Sequence, residues 1–194
     1  MGYRAALLIV DVQNDFCPGG RLEVPDGDRV IDPINRAVDY FVKAGLPVLA
    51  SRDWHPPFTS HFRDFGGVWP VHCVQGTDGA AFHPALRLPE GTTLLSKGMN
   101  LSENGYSAFE GVAADGRMLA DLLRDLGVQK LYISGLATDY CVLYTTIEAL
   151  RNGFDVTVLT DAVAALDIVA GELPSAVEEM ENAGAQLATV EELH

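Results

Sequence analysis

The chain has 194 residues, of which 48% are hydrophobic and 21% charged, with 13 basic against 27 acidic side chains and a formal charge of -14. This composition predicts one folded domain, residues 1–194, with a sizeable core, and excludes an intrinsically disordered chain. The deficit of basic residues disfavours nucleic acid and anionic membrane surfaces as partners, while a small neutral or cationic ligand stays open.

A repeating pattern organises most of the chain. The apolar run at residues 5–10 predicts the first strand, since it is too short to span a membrane and does not resemble a signal peptide. An amphipathic helical face, a glycine and a short apolar run then occur together four times. The four faces and their runs are Ile31, Ile34, Val38 and Phe41 before 47–50; Leu119, Leu122, Leu123 and Leu126 before 131–134; Val142, Thr146 and Ala149 before 156–159; and Val177 and Met180 before 187–190.

Strands separated by helices of this length imply right-handed crossovers and a mostly parallel sheet that is covered on both faces. The predicted fold class is therefore α/β, a three-layer α/β/α sandwich. Residues 52–91 interrupt the pattern with many prolines and glycines and hold four of the five histidines. A loop of this length within a compact domain is usually functional.

Polar side chains follow four of the predicted strands. Asp11 ends the run LLIVD, Asp53 ends VLASRD, Lys97 ends TTLLSK, and Cys141 lies in GLATDYC after the run at 131–134. Because ligands bind outside the carboxyl ends of parallel strands, we expect these side chains to share one crevice.

A cysteine at the start of a helix, with a lysine nearby, should have a lowered thiol pKa. Asp11 could then accept the proton of Cys141 for attack on an acyl carbon, with N–H groups of the turn at 136–141 as an oxyanion hole. The alternative is structural, with Cys141 as a small buried hydrophobe, Asp11 as a helix cap and Lys97 in solvent. The joint placement of the three residues favours catalysis.

A second group of residues suits a metal. Asp53 and His55 lie two residues apart, which puts both side chains on the same side of an extended segment, and His72 or His61 could add a further ligand. Such a set suits Zn²⁺, Fe²⁺ or Mn²⁺. The structural alternative is that Asp53 and His55 only cap the loop.

Aromatic residues in the loops after the strands suggest the walls of a flat apolar pocket for an aromatic ring. They are Phe16, Trp54, Trp69 and Tyr106. No phosphate-binding glycine motif follows the first strand, which disfavours a nucleotide.

The remaining cysteines and acidic residues are assigned no chemistry. The three cysteines are scattered without CxxC spacing, which indicates neither a disulfide framework nor a zinc finger and favours a cytoplasmic location. Cys17 and Cys73 are expected to pack or to line loops. Apart from Asp11 and Asp53, most acidic side chains are expected on the solvated surface.

Six motifs together resemble the nicotinamidase branch of the isochorismatase-like cysteine hydrolases, over essentially the whole chain. The motifs are DVQNDFCPGG (11–20), RDWHPP (52–57), WPVHCVQGTDGAAFHP (69–84), SKG (96–98), GYSAFEG (105–111) and SGLATDYCV (134–142). The resemblance implies the three-layer fold and the hydrolysis of nicotinamide to nicotinate and ammonia in NAD salvage, with pyrazinamide as a further substrate.

By position, the resemblance implies that Cys141 is the nucleophile, Asp11 the general base and Lys97 the residue that stabilises the thiolate. It also implies a cis peptide bond before Ala137, so that the N–H groups of Ala137 and Cys141 form the oxyanion hole. Phe16, Trp69 and Tyr106 correspond to the residues that enclose the substrate ring.

The resemblance further implies one divalent metal ion, with zinc as first choice and iron or manganese as alternatives. Asp53, His55 and His72 match the metal ligands, and His61 matches a further ligand of some members. The metal would hold the pyridine nitrogen directly or through water. Subunit number stays open, with a homo-oligomer as one alternative.

Three alternatives compete with this interpretation. Isochorismatase proper lacks the cysteine nucleophile and the carbamoyl amidases generally lack the metal pair, so Cys141 with Asp53 and His55 favours nicotinamidase over either. A noncatalytic module that binds a metal or ligand is the alternative from a different class, although such a module has no need for Asp11 and Lys97 beside the cysteine.

Overall fold

The structure is a computed structural model that describes residues 4–168 and 172–193, with only the backbone described at 172 and 173. Both ends of the predicted domain, 1–194, therefore extend past the described residues. Within these ranges the chain folds as a three-layer α/β/α sandwich, which confirms the predicted fold class.

The strands and helices alternate along most of the chain. The strands are β1 (Ala5–Val10), β2 (Val48–Asp53), β3 (Thr93–Lys97), β4 (Val112–Ala113), β5 (Lys130–Leu136), β6 (Asp155–Ala164) and β7 (Gln186–Ala188). The helices are α1 (Ile31–Lys43), α2 (Leu119–Asp125), α3 (Leu143–Arg151) and α4 (Glu172–Asn182). Within the described residues the strands form one sheet in the order β4, β3, β2, β1, β5, β6, β7, and β4 alone is antiparallel to its neighbour.

The central strand β1 shows why the fold has three layers. Leu7 and Ile9 face one apolar core, whereas Leu8 and Val10 face another, and all four are fully buried. A strand that is apolar on both sides must be covered on both sides. Helix α1 covers the face of Leu7, and α2, α3 and α4 cover the face of Leu8.

The predicted strands are found; β1 has the predicted bounds, and the other strands differ from theirs. The run at 47–50 becomes Val48–Asp53, and the run at 156–159 extends to Ala164. The two-residue strand β4 was not predicted, because it has too few residues to show a period. Residues 54–91, all of which are described, contain only isolated bridges and short 3-10 turns, as expected for a long loop.

Gly135 brings β5 close to β1 just before the carboxyl edge of the sheet. Its φ is +113°, and a Cβ atom there would lie 1.9 Å from the carbonyl oxygen of Val10. Only glycine permits this approach. No helix within 4–168 and 172–193 is long and apolar enough to cross a membrane.

Candidate active site

The strand order brings the predicted catalytic residues to one place. β3, β2, β1 and β5 are neighbours in the sheet, and their carboxyl ends meet at the same edge. Lys97 and Asp53 end β3 and β2 and pair in register, Asp11 follows β1 directly, and Cys141 follows β5 after a short turn. The expectation that these four side chains share one crevice is confirmed.

Lys97 is the centre of this cluster, and its side chain is fully buried. Its Nζ atom lies 2.7 Å from Asp11 Oδ2 and 3.4 Å from Cys141 Sγ, and it also donates to Asp53 Oδ1. The carbonyl oxygen of Gly105 accepts a further hydrogen bond from Nζ. One ammonium group therefore joins both carboxylates and the thiol, so the idea of a solvated Lys97 is wrong.

The end of β2 fixes the orientation of Asp11. The Ser51 hydroxyl donates to Asp11 Oδ1 over 2.7 Å, and the N–H of Asp11 donates to the Ser51 carbonyl over 3.2 Å. Asp11 has a φ of +50°, in the left-handed region that few residues other than glycine adopt. This backbone conformation ends the strand and leaves the carboxylate beside Lys97.

Cys141 lies in an unusual turn. The Leu136–Ala137 peptide bond is cis, as the resemblance implied. Residues Thr138–Val142 form a π-helical turn that continues directly into α3. Cys141 therefore lies at the start of a helix, as predicted, in a type of turn that is often found at functional sites.

The direction of the Cys141 pKa differs from the prediction. Burial raises the pKa of the thiol well above its ordinary value, and Asp11 and Asp53 add to the effect, whereas Lys97 lowers it. The expectation of a lowered thiol pKa is therefore wrong. That prediction considered one cation and the helix N-terminus. It left out the desolvation of the thiol and the two carboxylates, and both of these effects favour the neutral thiol.

The pKa values of Asp11, Asp53 and Lys97 are also shifted from their ordinary values. Burial raises the pKa of Asp11 above its ordinary value, although Lys97 opposes this. Burial alone would also raise the pKa of Asp53, but Lys97 and the neighbouring histidines hold it well below its ordinary range. Lys97 keeps its proton, because the two carboxylates outweigh the effect of its burial and raise its pKa well above the ordinary value.

Three histidines lie next to this cluster. Nitrogen atoms of His55, His61 and His72 that could bind a metal all lie within 4.8 Å of one another. Asp53 Oδ2 lies 3.5 Å from His55 Nε2 and 3.6 Å from His72 Nε2. Asp53 therefore contacts Lys97 through one oxygen and the histidines through the other, and the idea that Asp53 and His55 only cap the loop is wrong.

Each of these histidines has an oxygen atom beside its Nδ1. His55 Nδ1 lies 3.1 Å from the Gly98 carbonyl, and His72 Nδ1 lies 2.8 Å from the Pro70 carbonyl. His61 Nδ1 lies 3.3 Å from the side-chain oxygen of Asn104. An oxygen acceptor keeps the proton on Nδ1, which leaves the Nε2 lone pair available for a metal.

This group fits a divalent ion. His55 Nε2 is buried and has no hydrogen-bond partner among the described residues, which is costly for a polar atom unless something binds it. Burial and the other two histidines lower the pKa of His61 to about 4, so its ring is neutral near pH 7. Neutral imidazoles with one carboxylate are the ligand set of zinc, iron and manganese sites.

A pocket opens onto both groups. The space within it, together with open solvent at its mouth, is about 320 Å³. Its lining combines aromatic and apolar side chains with a few polar groups, which is typical of sites for small molecules. The residues that line it are Phe16, Leu22, Asp53, His61, Trp69, His72, Tyr106, Ala137, Tyr140, Cys141 and Leu166.

Three of the four aromatic residues that were expected to form the pocket walls do line the pocket. Trp69 Nε1 donates to the Tyr106 hydroxyl over 2.8 Å, which joins two walls of the pocket. Phe16 also lines the pocket, and its ring lies 5.5 Å from the ring of His72. Trp54 does not line the pocket, so its assignment is wrong; its ring stacks instead on the guanidinium of Arg52, 3.7 Å away.

Sequence reasoning missed several buried polar residues around the site. Asp15 and Asp139 are buried exceptions to the expectation that most acidic side chains are solvated, and Gln13 is fully buried. Asp139 accepts hydrogen bonds from the N–H groups of Leu166 and Asp167, and so holds one pocket wall. Asp11, Gln13 and Asp15 alternate along the sequence, a signal that could have identified the last two.

The three-layer fold and the site define a hydrolase of the isochorismatase type. Residues 5–192 match the Isochorismatase domain family, and the chain belongs to that family.

Within the family, the chain is most informatively compared with three relatives. It is 40% identical to the nicotinamidase of Escherichia coli strain K12, over 95% of this chain and 94% of the relative. A pyrazinamidase of Pyrococcus horikoshii, solved in complex with zinc, is 42% identical, with a TM-score of 0.88 over 96% of this chain and 99% of that one. PnC1 from L. infantum, solved in complex with nicotinate, is 35% identical, with a TM-score of 0.87 over 98% and 95%.

Proposed function

We propose that this protein is a nicotinamidase, an amidohydrolase that converts nicotinamide to nicotinate and ammonia and also accepts pyrazinamide. The observation that carries the proposal is the buried contact of Lys97 with both Asp11 and Cys141 at the base of an aromatic pocket. The relatives named nicotinamidase and pyrazinamidase support the choice of substrate.

The resting state of the site sets the first chemical step. Cys141 is held as a thiol, and Asp11, Asp53 and Cys141 offer atoms within 4.8 Å of one another. Asp11 takes the thiol proton while sulfur bonds to the amide carbon, so no free thiolate has to persist beforehand. The raised pKa of Asp11 makes it a stronger base than an ordinary aspartate.

The remaining steps reuse the same groups. The N–H groups of Ala137 and Cys141 stabilise the oxyanion of the tetrahedral intermediate. Asp11 gives its proton to the amide nitrogen, the C–N bond breaks, and ammonia leaves a thioester on Cys141. Asp11 then takes a proton from water as the water oxygen attacks, the C–S bond breaks, and the proton returns to sulfur. Lys97 stays charged throughout and offsets the negative charge of Asp11.

The pocket selects a flat ring that carries a carboxamide. Phe16, Trp69 and Tyr106 line the pocket and offer aromatic faces and edges to such a ring. Asp53, His55, His61 and His72 would hold one divalent ion, for which we propose zinc. When bound, this ion supplies Lewis acidity toward the ring nitrogen of the substrate.

Replacing the nucleophile tests the proposal. We expect Cys141→Ala to release no ammonia from nicotinamide while it folds and binds zinc like the parent protein. Cys17→Ala is the matched control, because Cys17 is also buried and is absent from the pocket lining. Turnover by the Cys141→Ala protein would remove this residue from the mechanism.

The same assay distinguishes the alternatives. Loss of ammonia release with a chelator, restored by added zinc, would support the metal role, and a chelator-insensitive enzyme would contradict it. A parent protein that binds zinc but hydrolyses no amide would favour the noncatalytic module. Activity on other small amides alone would favour another amidohydrolase of the family. A homo-oligomer and a cytoplasmic location remain predictions.

A further inference from the structure

The segment that follows β1 carries three buried polar side chains at alternate positions. They are Asp11, Gln13 and Asp15, and at most 5% of each residue is exposed. The mechanism uses only Asp11. Gln13 makes hydrogen bonds to the backbone of Asp53, which would hold the metal, and Asp15 makes one to the backbone of Cys73, next to His72.

Gln13 makes hydrogen bonds to both the N–H and the carbonyl group of Asp53. Its side-chain oxygen accepts the N–H of Asp53 over 2.8 Å, and its side-chain nitrogen donates to the Asp53 carbonyl over 2.8 Å. The same nitrogen also donates to the carbonyl of Ala80 over 2.9 Å. Gln13 therefore joins the end of β2 to the long loop that carries the histidines.

Asp15 holds the backbone next to His72. Its Oδ2 atom accepts the N–H of Cys73 over 2.7 Å, and Cys73 has a φ of +45°. A left-handed cysteine is uncommon, and a carboxylate that accepts its N–H helps to hold it there. The carbonyl of Cys73 in turn accepts the N–H of His55 over 3.0 Å, so Asp15 supports two histidines through one residue.

Gly79 fits closely against the Asp15 carboxylate. A Cβ atom at Gly79 would lie 2.2 Å from Asp15 Oδ2, so the carboxylate is enclosed by backbone as well as hydrogen-bonded. The other oxygen, Oδ1, accepts the N–H of Arg21 over 3.2 Å. Asp15 thus has little freedom to move, which is what a residue that fixes a turn requires.

We propose that Gln13 and Asp15 are positioning residues for the metal site. Gln13 sets the backbone of Asp53, and Asp15 sets the turn at Cys73 that orients His72 and supports His55. Because Asp11 lies in the same short segment, residues 11–15 place the general base and the metal ligands relative to one another. This inference rests on the proposed function and deepens it.

The test measures zinc affinity without substrate. We expect Gln13→Ala and Asp15→Ala to weaken zinc binding by about 10–100-fold in a chelator competition, the usual effect of removing a group that orients metal ligands. Asn35→Ala is the matched control, because the buried Asn35 also binds loop backbone, at Ala85 and Arg87. Among the hydrogen bonds of the described residues, Ala85 binds His83, and none of the three binds His55, His61 or His72. We expect the zinc affinity of Asn35→Ala to stay within about threefold of the parent.

Two further measurements separate positioning from general destabilisation. Asp15→Asn, which keeps an acceptor and the shape of the side chain, should recover most of the affinity lost in Asp15→Ala and serves if the alanine variant does not fold. The absorption spectrum of bound cobalt should change in Gln13→Ala and Asp15→Ala but not in Asn35→Ala, because it reports ligand geometry. Gln13 and Asp15 variants that fold and bind zinc within threefold of the parent would overturn the proposal.

The outcome stays distinct from that of the proposed function. A parent protein that binds zinc but releases no ammonia would contradict the nicotinamidase assignment and leave this test intact. A parent protein that binds no zinc would overturn the positioning role. Nicotinamide turnover measured in parallel should fall with zinc occupancy in both variants and recover in excess zinc.

Discussion

Two cations in this protein each contact two carboxylates, one in the buried site and one on the surface. Lys97 contacts Asp11 and Asp53 with its side chain fully buried. Arg117 contacts Asp115 and Asp125, and about half of its side chain is exposed. Both groups therefore contain one positive and two negative charges. Only the buried group has no solvent that could stabilise a charge left without its partner.

The comparison shows what burial adds to an ion pair. Water around Arg117 can replace either partner, so the pairing there is dispensable. In the site, Lys97 opposes the effect of burial on the pKa of both carboxyls, and the two carboxylates in turn raise the pKa of Lys97. A protein keeps such a costly arrangement where it serves chemistry.

Removing the buried cation should have the largest effect. Lys97→Met leaves Asp11 and Asp53 without their cation, and we expect the free energy of unfolding to fall by about 3–5 kcal/mol. Ammonia release should fall by at least about 100-fold, because the site then holds uncompensated negative charge next to Cys141. Chemical denaturation and a steady-state ammonia assay measure the two effects.

The pH dependence of this variant checks the cause. A protonated carboxylate needs no cation, so the stability lost in Lys97→Met should be smaller at about pH 5 than at about pH 8. An equal loss at both values would indicate that packing of the lysine stem, rather than its charge, stabilises the site.

Much of the fold could be predicted from the sequence because its signals are local. The apolar run of β1 and the helical face of α1 show their periods within a few residues, and glycine marks the ends of the helices. The strand β4 has too few residues for such a signal. The length of β6 could not be predicted either, because it depends on pairing with β5 beyond the apolar run.

The residues of the site could be predicted, but not their electrostatics. Asp11, Lys97 and Cys141 each follow a strand, and strand ends converge in a parallel sheet. The pKa of Cys141 depends instead on how deeply the turn is buried and on which carboxylates face it, and neither is a local property. The roles of Gln13 and Asp15 were missed for the same reason, since their partners lie 40 or more residues away in the chain.

A smaller change inside the site should move its pH dependence. The Ser51 hydroxyl donates to Asp11 and lowers the pKa of that carboxyl, which burial raises. Asp11 must be ionised to act as a base, so activity falls as the pH decreases through its raised pKa. We expect Ser51→Ala to shift the acid limb of kcat/KM to higher pH and to reduce kcat/KM at neutral pH by about tenfold or less, the effect of losing one hydrogen bond to a charged group.

A matched control gives this prediction its specificity. Thr157→Ala also removes a buried hydroxyl from the sheet, but Thr157 lies on β6 and contacts Gln186. Its acid limb should coincide with that of the parent. An unmoved limb in Ser51→Ala would contradict the assignment of Asp11 as the base that titrates in the profile.

The smallest effect is expected at the surface group, which completes the comparison. Arg117→Met removes the same kind of charge from the same number of carboxylates as Lys97→Met, but solvent reaches Asp115 and Asp125 directly. We therefore expect the thermal unfolding midpoint and the ammonia release of this variant to match those of the parent at physiological salt. Any difference seen at low salt should disappear as salt is added. A destabilisation as large as that of Lys97→Met would contradict this expectation. It would show that losing the two ion pairs costs the same stability whether the cation is buried or exposed.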